Sequence, residues 1–193
     1  LNQVLDKGEA WMDYSRKHRE YENQTGPVRR GVGCALFWYN TAVWPISLES
    51  CSCRMVLNQD GSIQLQTGET EIGQGCDTAF AQMAADAVGI PVSDVHVVTA
   101  QDTDVTPFGT GAYASRQTYV GGFAIAQTGA LLKERILKYA CELTRQMPAL
   151  LDIVDGRIIR KTDGRVLMTL GELATEALYS LSHSEHLTAE STY

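Results

Sequence analysis

The sequence lacks a positive charge excess, a long apolar run and a cysteine framework. Lysine and arginine number 16 against 23 acidic residues, a net charge of -7, so no basic stripe favours nucleic-acid binding. Apolar runs fall far short of the roughly 20 residues that span a bilayer, and the first residues do not resemble a signal peptide. Five cysteines in no regular spacing indicate reduced thiols. We therefore expect a cytoplasmic protein without a membrane or nucleic-acid partner.

The chain is long and apolar enough for a sizeable core, with 193 residues of which 44% are hydrophobic. It begins without methionine, at Leu1, and no terminating signal follows Tyr193. We interpret it as an internal fragment of a longer polypeptide. Surfaces that would meet the missing parts should be apolar, so we expect the isolated fragment to self-associate.

Hydrophobic periodicity predicts an α+β fold, a mostly antiparallel sheet with packed helices. Apolar side chains at helical spacing predict helices over 1–22, 78–88 and 121–143. Thr169, with Glu172 three residues later, predicts a capping box that opens a short helix over 169–179. β-prone composition predicts strands over 31–39 and 95–99, a hairpin near 53–67, and two Asp-Gly hairpins between 151 and 168. This divides the chain into an N-terminal helix and linker (1–28), a core (29–145) and a final segment of hairpins and a short helix (146–193).

A glycine-rich segment, Gly68–Thr78, joins a predicted strand to a predicted helix. Such a junction presents unpaired backbone N–H groups and the positive end of a helix dipole, which together favour an anion. Gln74 and Gly75 stand where a nucleotide phosphate loop needs lysine and serine or threonine. The segment therefore predicts an anion site but not triphosphate hydrolysis, and a merely tight turn remains an alternative.

A second polar loop, Asp102–Gln117, is also rich in small residues. Loops of this length are uncommon unless they are functional. Ser115 and Gln117 offer hydrogen bonds, and Arg116 offers a cation that could face an anion. We predict that the two loops form halves of one binding site.

Together these residues resemble the molybdenum-cofactor-binding region of the xanthine dehydrogenase and aldehyde oxidase family. The resemblance covers roughly Arg29 to Ala140 and is carried by Thr67–Gly75, Asp102–Asp104 with Pro107, and Ala114–Arg116 followed by Gly122. It looks closest to bacterial xanthine dehydrogenase molybdenum subunits.

The resemblance implies a role for each matching residue. Residues that would contact the molybdopterin are Ile72, Gly73, Gln74, Ala114, Ser115, Arg116 and Gln117. The Gln74 amide would donate toward a ligand of the molybdenum. Trp44 falls where the family places part of its substrate wall and could stack on a purine.

The resemblance also implies the reaction, hydroxylation of a purine or related N-heterocycle with oxygen from water. The family's catalytic glutamate, and its iron–sulfur and FAD groups, would lie outside this sequence, so we expect the fragment alone to be inactive and to bind no cofactor stably. Glu69 and Glu71 are expected to point away from an anionic cofactor or to cap the helix rather than to act as the base.

Other constellations are interpreted as structural. Cys51 and Cys53 lack a second pair for zinc and are expected to be small, partly buried residues. His183 and His186 are expected in a solvated loop. Cys76, at a predicted helix N-terminus, could have a lowered pKa or simply pack.

Two whole-chain alternatives stay open. One is a non-catalytic domain of the same fold that acts in cofactor insertion or partner binding. The other is an anion-binding module that uses the helix start at Gly73-Gln74-Gly75 alone.

Overall fold

The computed structural model describes residues 1–43, 45, 49–181 and 183–193. The chain divides into two compact units, Leu1–Tyr39 and Asn40–Tyr193. The candidate site lies in the second unit, so the first is described only briefly.

The first unit contains two helices, α1 (Asn2–Met12) and α2 (Tyr14–Glu22). The sequence predicted one helix here. Asp13 divides it with a left-handed backbone, φ 51°, and its amide bonds to the carbonyl of Glu9. Neither helix buries a side chain, so packing does not force it to continue through the break.

The segment 31–39, predicted as a strand, is neither helix nor strand. The prediction was wrong because β-prone composition does not supply a neighbouring strand to pair the backbone groups. Its aromatic side chains are exposed, Phe37 by 85% and Trp38 by 75%.

The first sheet of the second unit has the strand order β3-β2-β1-β7. β1 (Ser52–Leu57) and β2 (Ile63–Thr67) form the predicted hairpin, with Met55 opposite Leu65. β3 (Val95–Val97) runs parallel to β2, and β7 (Thr188–Thr192) pairs antiparallel with β1. The sheet is therefore mostly antiparallel, as predicted.

Two helices cover this sheet. α3 (Cys76–Val88) packs against α4 (Gly122–Thr144), and α4 packs across β1 and β7. The fully buried Phe80 and Ile125 belong to their shared core. The Thr128 hydroxyl lies 3.3 Å from the Cys53 carbonyl and 2.7 Å from Ser191 Oγ, which ties α4 to both strands.

The second sheet is an antiparallel meander, β4 (Leu151–Val154), β5 (Arg157–Arg160) and β6 (Arg165–Thr169). Both predicted Asp-Gly turns connect its strands, which confirms the two hairpins. α5 (Leu170–Tyr179) follows and opens with the predicted capping box, in which Thr169 and Glu172 bond each other's backbone amides.

The α+β class is confirmed, and β7 is a strand that the sequence missed. Its residues, Thr-Ala-Glu-Ser-Thr, are too polar to suggest a strand, and pairing with β1 provides the stabilisation that composition does not. No described helix is long and apolar enough to cross a bilayer.

Candidate functional site

The first glycine loop is organised by Glu71. Its Oε1 accepts hydrogen bonds from the amides of Gly73 (2.7 Å) and Gly75 (2.9 Å), and its Oε2 accepts from Asp77 (3.2 Å). Both glycines are left-handed, at φ 102° and 84°, which a side chain would disfavour. The Gly75 bond, followed by those of Asp77 and Gly73, lowers the pKa of Glu71 to about 2.

The expectation that this junction presents unpaired amides was therefore wrong, because a carboxylate of the chain itself accepts from three of them. The alternative expectation for Glu71, that it caps the helix, is confirmed. An anion-binding module built on Gly73-Gln74-Gly75 alone would first have to displace Glu71 from the start of α3.

Gln74 and Gln117 join the two predicted loops. Gln74 Nε2 donates to Gln117 Oε1 and, at 3.1 Å, to the carbonyl of Thr70. Gln117 Nε2 donates to the same carbonyl at 2.9 Å. Gln74 Oε1 accepts from the amide of Ile72 at 2.7 Å. The two carboxamides thus form one network, so the two loops adjoin; that they are halves of one binding site stays a prediction.

The second loop packs directly against the first through two glycines. A Cβ on Gly68 would lie 2.2 Å from the nitrogen of Gly109, and one on Gly109 would lie 2.4 Å from the Gly68 carbonyl oxygen. Beside this crossing, the Ser52 amide donates to the Phe108 carbonyl at 2.7 Å. Only residues without a side chain allow the two backbones to approach so closely.

The turn after this crossing contains two successive left-handed residues, Ala114 (φ 45°) and Ser115 (φ 52°). Each such non-glycine residue costs on the order of 1 kcal/mol. The Ala114 carbonyl accepts from the Ala42 amide at 2.6 Å. Ser115 is exposed. A π-helical turn, Gln117–Gly121, follows and leads into α4, and such turns are frequent at functional sites.

Arg116 does not offer its charge to an external anion, which corrects the sequence-based expectation. Its side chain is fully buried and pairs with Glu49 and Glu69. The pairing was not visible in the sequence because Glu69 is 47 residues away. The fully buried Glu69 is therefore committed to an ion pair and is not an exposed base.

A cleft of about 470 Å³ lies next to these loops and is lined by Gly68, Thr70, Gln101–Thr103 and Thr106–Gly111. Within the described residues, the buried hydroxyl oxygen of Thr110 has no hydrogen-bond partner. None of the seven predicted cofactor contacts lines this cleft. The cleft adjoins them at Thr70, whose carbonyl accepts from Gln74 and Gln117.

The three cysteines that the sequence analysis interpreted as structural, Cys51, Cys53 and Cys76, are buried thiols. Burial, foremost, raises the pKa of Cys51 to about 11 and that of Cys53 to about 12. The possible lowered pKa of Cys76 is wrong: burial, followed by the charges of Glu71 and Asp77, raises it to about 12. Although Glu71, Cys76 and Asp77 lie within 4.8 Å of one another, a protonated thiol and a carboxylate bonded to amides are poor metal ligands.

His183 and His186 lie in an exposed, irregular segment, as expected. His183 Nε2 is 3.7 Å from a Glu185 carboxylate oxygen. The predicted substrate-wall residue, Trp44, lies outside the described residues.

Sequence reasoning missed Glu49, Gln101 and Thr110. Gln101 Nε2 donates to the Glu69 carbonyl at 3.3 Å, and Glu49 Oε1 accepts from the Val43 amide at 2.7 Å. Glu49 and Gln101 lie outside the two predicted loops, and Thr110 lies in the second loop without a distinguishing signal, so only the tertiary structure reveals them.

Comparison with known proteins agrees with this architecture. Residues 7–193 match the family model described as the molybdopterin cofactor-binding domain. The chain is 44% identical over its full length to the xanthine dehydrogenase molybdenum-binding subunit of Escherichia coli O157:H7, of which it covers 26%. It is 29% identical over 93% of its length to the carbon monoxide dehydrogenase large chain of Hydrogenophaga pseudoflava, of which it covers 23%.

Among solved structures, the quinoline 2-oxidoreductase of Pseudomonas putida 86 matches 75% of this chain and 19% of its own, with a TM-score of 0.66 and 28% identity. The chain thus spans about a quarter of the length of these curated relatives. We conclude that it belongs to the molybdopterin cofactor-binding domain family.

Proposed function

We propose that the chain supplies molybdopterin contacts to a xanthine dehydrogenase-like oxidoreductase that hydroxylates purines or related N-heterocycles with oxygen from water. The observation that carries this proposal is the meeting of the two loops at Gln74 and Gln117. The identity of 44% to a xanthine dehydrogenase subunit, against 29% to a carbon monoxide dehydrogenase chain, favours the purine class.

The described residues of the site fit the neutral hydrogen-bonding edges of a pterin. The exposed side chains of Gln74 and Ser115 can form hydrogen bonds with a ligand, and the charges of Arg116, Glu49 and Glu69 are paired with one another. Small residues let a ligand approach the backbone at this turn. A bound molybdenum centre would supply two-electron oxidation and activate water.

The chain's own residues would bind and orient this group. We propose that Gln74 donates from its amide toward the metal's ligands, with Ile72 and Gly73 beside it, which requires its Nε2 to release the Thr70 carbonyl or Gln117 Oε1 when the cofactor binds. Ala114, Ser115 and Gln117 would contact the pterin through backbone and side-chain hydrogen bonds. For Arg116 we restrict the proposed contact to its backbone, because its guanidinium is committed inward.

The remaining parts of the enzyme are proposed to lie on other segments or subunits. They include the catalytic glutamate, the iron–sulfur clusters and the FAD. We also propose a cytoplasmic location, for which the five free thiols are the support. From the family resemblance, we also propose that a purine stacks on Trp44.

The test is the molybdenum content of the full-length gene product, purified from a host that makes the cofactor and measured by elemental mass spectrometry. We expect near-stoichiometric molybdenum, with a loss of roughly tenfold in Gln74→Ala, the range typical for groups that orient a metal site. Gln82→Ala, an exposed glutamine on α3, is the matched control and should keep its molybdenum.

A well-folded full-length protein without molybdenum would refute the enzymatic proposal and support the non-catalytic alternative. Equal molybdenum in both glutamine variants would instead remove the role of Gln74. Turnover of hypoxanthine and xanthine by the loaded protein then decides the substrate class.

A further inference from the structure

Arg116 is a large side chain with no solvent exposure, and it directly follows the strained turn of Ala114 and Ser115. Two successive L-residues in the left-handed region persist only where the surrounding structure fixes them. We therefore expect the contacts of the next residue, Arg116, to hold this turn in place.

The guanidinium of Arg116 makes four directed hydrogen bonds. Nε lies 2.8 Å from Glu49 Oε2, and Nη2 lies 2.7 Å from the Ser50 carbonyl. Nη1 lies 2.5 Å from Glu69 Oε1 and 3.0 Å from the Gly111 carbonyl. A planar guanidinium can serve all these directions at once, which the single ammonium of a lysine cannot.

These partners tie the turn to two other parts of the site. Gly111 precedes the turn in the second loop, whereas Glu69 belongs to the first glycine loop. Glu69 precedes Thr70, whose carbonyl accepts from both Gln74 and Gln117. The buried ion pair and the amide network therefore link the same two loops at adjacent points.

Glu69 has little freedom to move. A Cβ on Gly121 would lie 3.2 Å from Glu69 Cγ, so the carboxylate stem packs against the π-helical turn. Its second oxygen has no hydrogen-bond partner within the described residues. The carboxylate is thus held by Arg116 and by close packing.

The charge balance argues against a direct ionic contact between Arg116 and a cofactor. One cation faces two carboxylates, so its charge is already compensated inside the protein. Turning it toward an external anion would leave at least one buried carboxylate unpaired, which is costly.

We propose that Arg116 is a positioning residue: its buried guanidinium fixes the Ala114–Ser115 turn and, through Glu69, sets the position of that turn relative to the Gln74 loop. This inference rests on the proposed function, because the turn and Gln74 are the assigned cofactor contacts. Arg116 then acts on the cofactor only through these neighbours.

The experiment compares full-length Arg116→Lys with wild type, after expression in a host that makes the cofactor. The matched control is Arg160→Lys, whose arginine pairs with Asp163 in a partly exposed hairpin. We measure molybdenum content, the thermal midpoint, the paramagnetic resonance spectrum of the partially reduced molybdenum centre, and hydrogen exchange of the peptides spanning 68–77 and 111–121.

We expect Arg116→Lys to lose roughly tenfold in molybdenum content. Its residual loaded fraction should have an altered spectrum, and both peptides should exchange faster. Arg160→Lys should match wild type in every readout. Wild-type molybdenum content and spectrum in Arg116→Lys would overturn the proposal.

Glu69→Gln separates positioning from direct ionic contact. If Arg116 contacts an anion of the cofactor, neutralising Glu69 frees its charge and the molybdenum content stays equal or rises, which would overturn the proposal. If Arg116 positions the loops, the weakened pair lowers the molybdenum content and speeds exchange in both peptides.

Two outcomes need a second measurement. If Arg116→Lys does not accumulate folded protein, Glu49→Gln, which leaves the Glu69 pair in place, must reproduce the same changes more weakly or the proposal fails. If wild type itself binds no molybdenum, the proposed function fails, and exchange in Arg116→Lys still decides whether Arg116 fixes the two loops.

Discussion

The two loops of the site are held by opposite electrostatic means. In the first, the Glu71 carboxylate accepts from backbone amides at the start of a helix. In the second, the Arg116 guanidinium donates to backbone carbonyls and to two carboxylates in the interior. A partly exposed cap is adjustable and sensitive to pH, whereas a buried ion pair is rigid and costly to break. The predictions below test this difference.

The largest effect is expected from Arg116→Met. Removing the cation leaves the fully buried Glu69 without its ion-pair partner and Glu49 with only the Val43 amide, which should lower the free energy of unfolding by about 3–5 kcal/mol. Urea unfolding followed by circular dichroism measures it. Arg160→Met, which breaks the partly exposed pair with Asp163, is the control and should change stability little. Equal losses of stability in both variants would show that the buried ion pair stabilises the fold no more than the partly exposed one.

A somewhat smaller effect is expected where the loops touch. Gly68→Ala would place a Cβ 2.2 Å from the Gly109 nitrogen, so one backbone must move, at a cost of about 3 kcal/mol. Gly33→Ala, where nothing lies within 4 Å, should change stability by no more than about 0.5 kcal/mol. Thermal unfolding compares them, and an unperturbed Gly68→Ala would mean that the loops are not in contact.

The smallest effect concerns pH. Because the folded pKa of Glu71 is about 2, against 4.5 for the free group, its contribution to stability is present above pH 4.5 and is lost as the pH falls toward 2. Glu71→Gln should therefore be less stable than wild type at pH 6 and approach it at pH 3. Chemical unfolding at both values measures the difference. A constant gap would show that the charge of Glu71 does not stabilise the loop.

The sequence predicted the regular elements where local signals are strong. The hairpin of β1 and β2, the helices α3 and α4 and the Thr169 capping box follow from alternation, helical spacing and cap residues that act over a few positions. Prediction from the sequence failed where strand pairing depends on segments that are far apart in the chain. The segment 31–39 has β-prone residues without a strand beside it, and β7 has polar residues stabilised by β1.

The same division runs through the site. Two glycine-containing loops and their family resemblance were readable from the residues alone, because glycine and small residues mark close backbone approach locally. The residues did not reveal which groups each charged side chain pairs with. Arg116 looked like a free cation and proved to pair with Glu69, while the glycine loop looked like a free anion site and proved to hold Glu71.

The sequence by itself determined the identities that permit the site: glycines where backbones cross, carboxamides that can donate and accept, and one arginine after two small residues. The tertiary structure alone decided which groups meet. Ion pairs and hydrogen bonds depend on distance and burial, and chain segments tens of residues apart acquire both only when the two loops pack together.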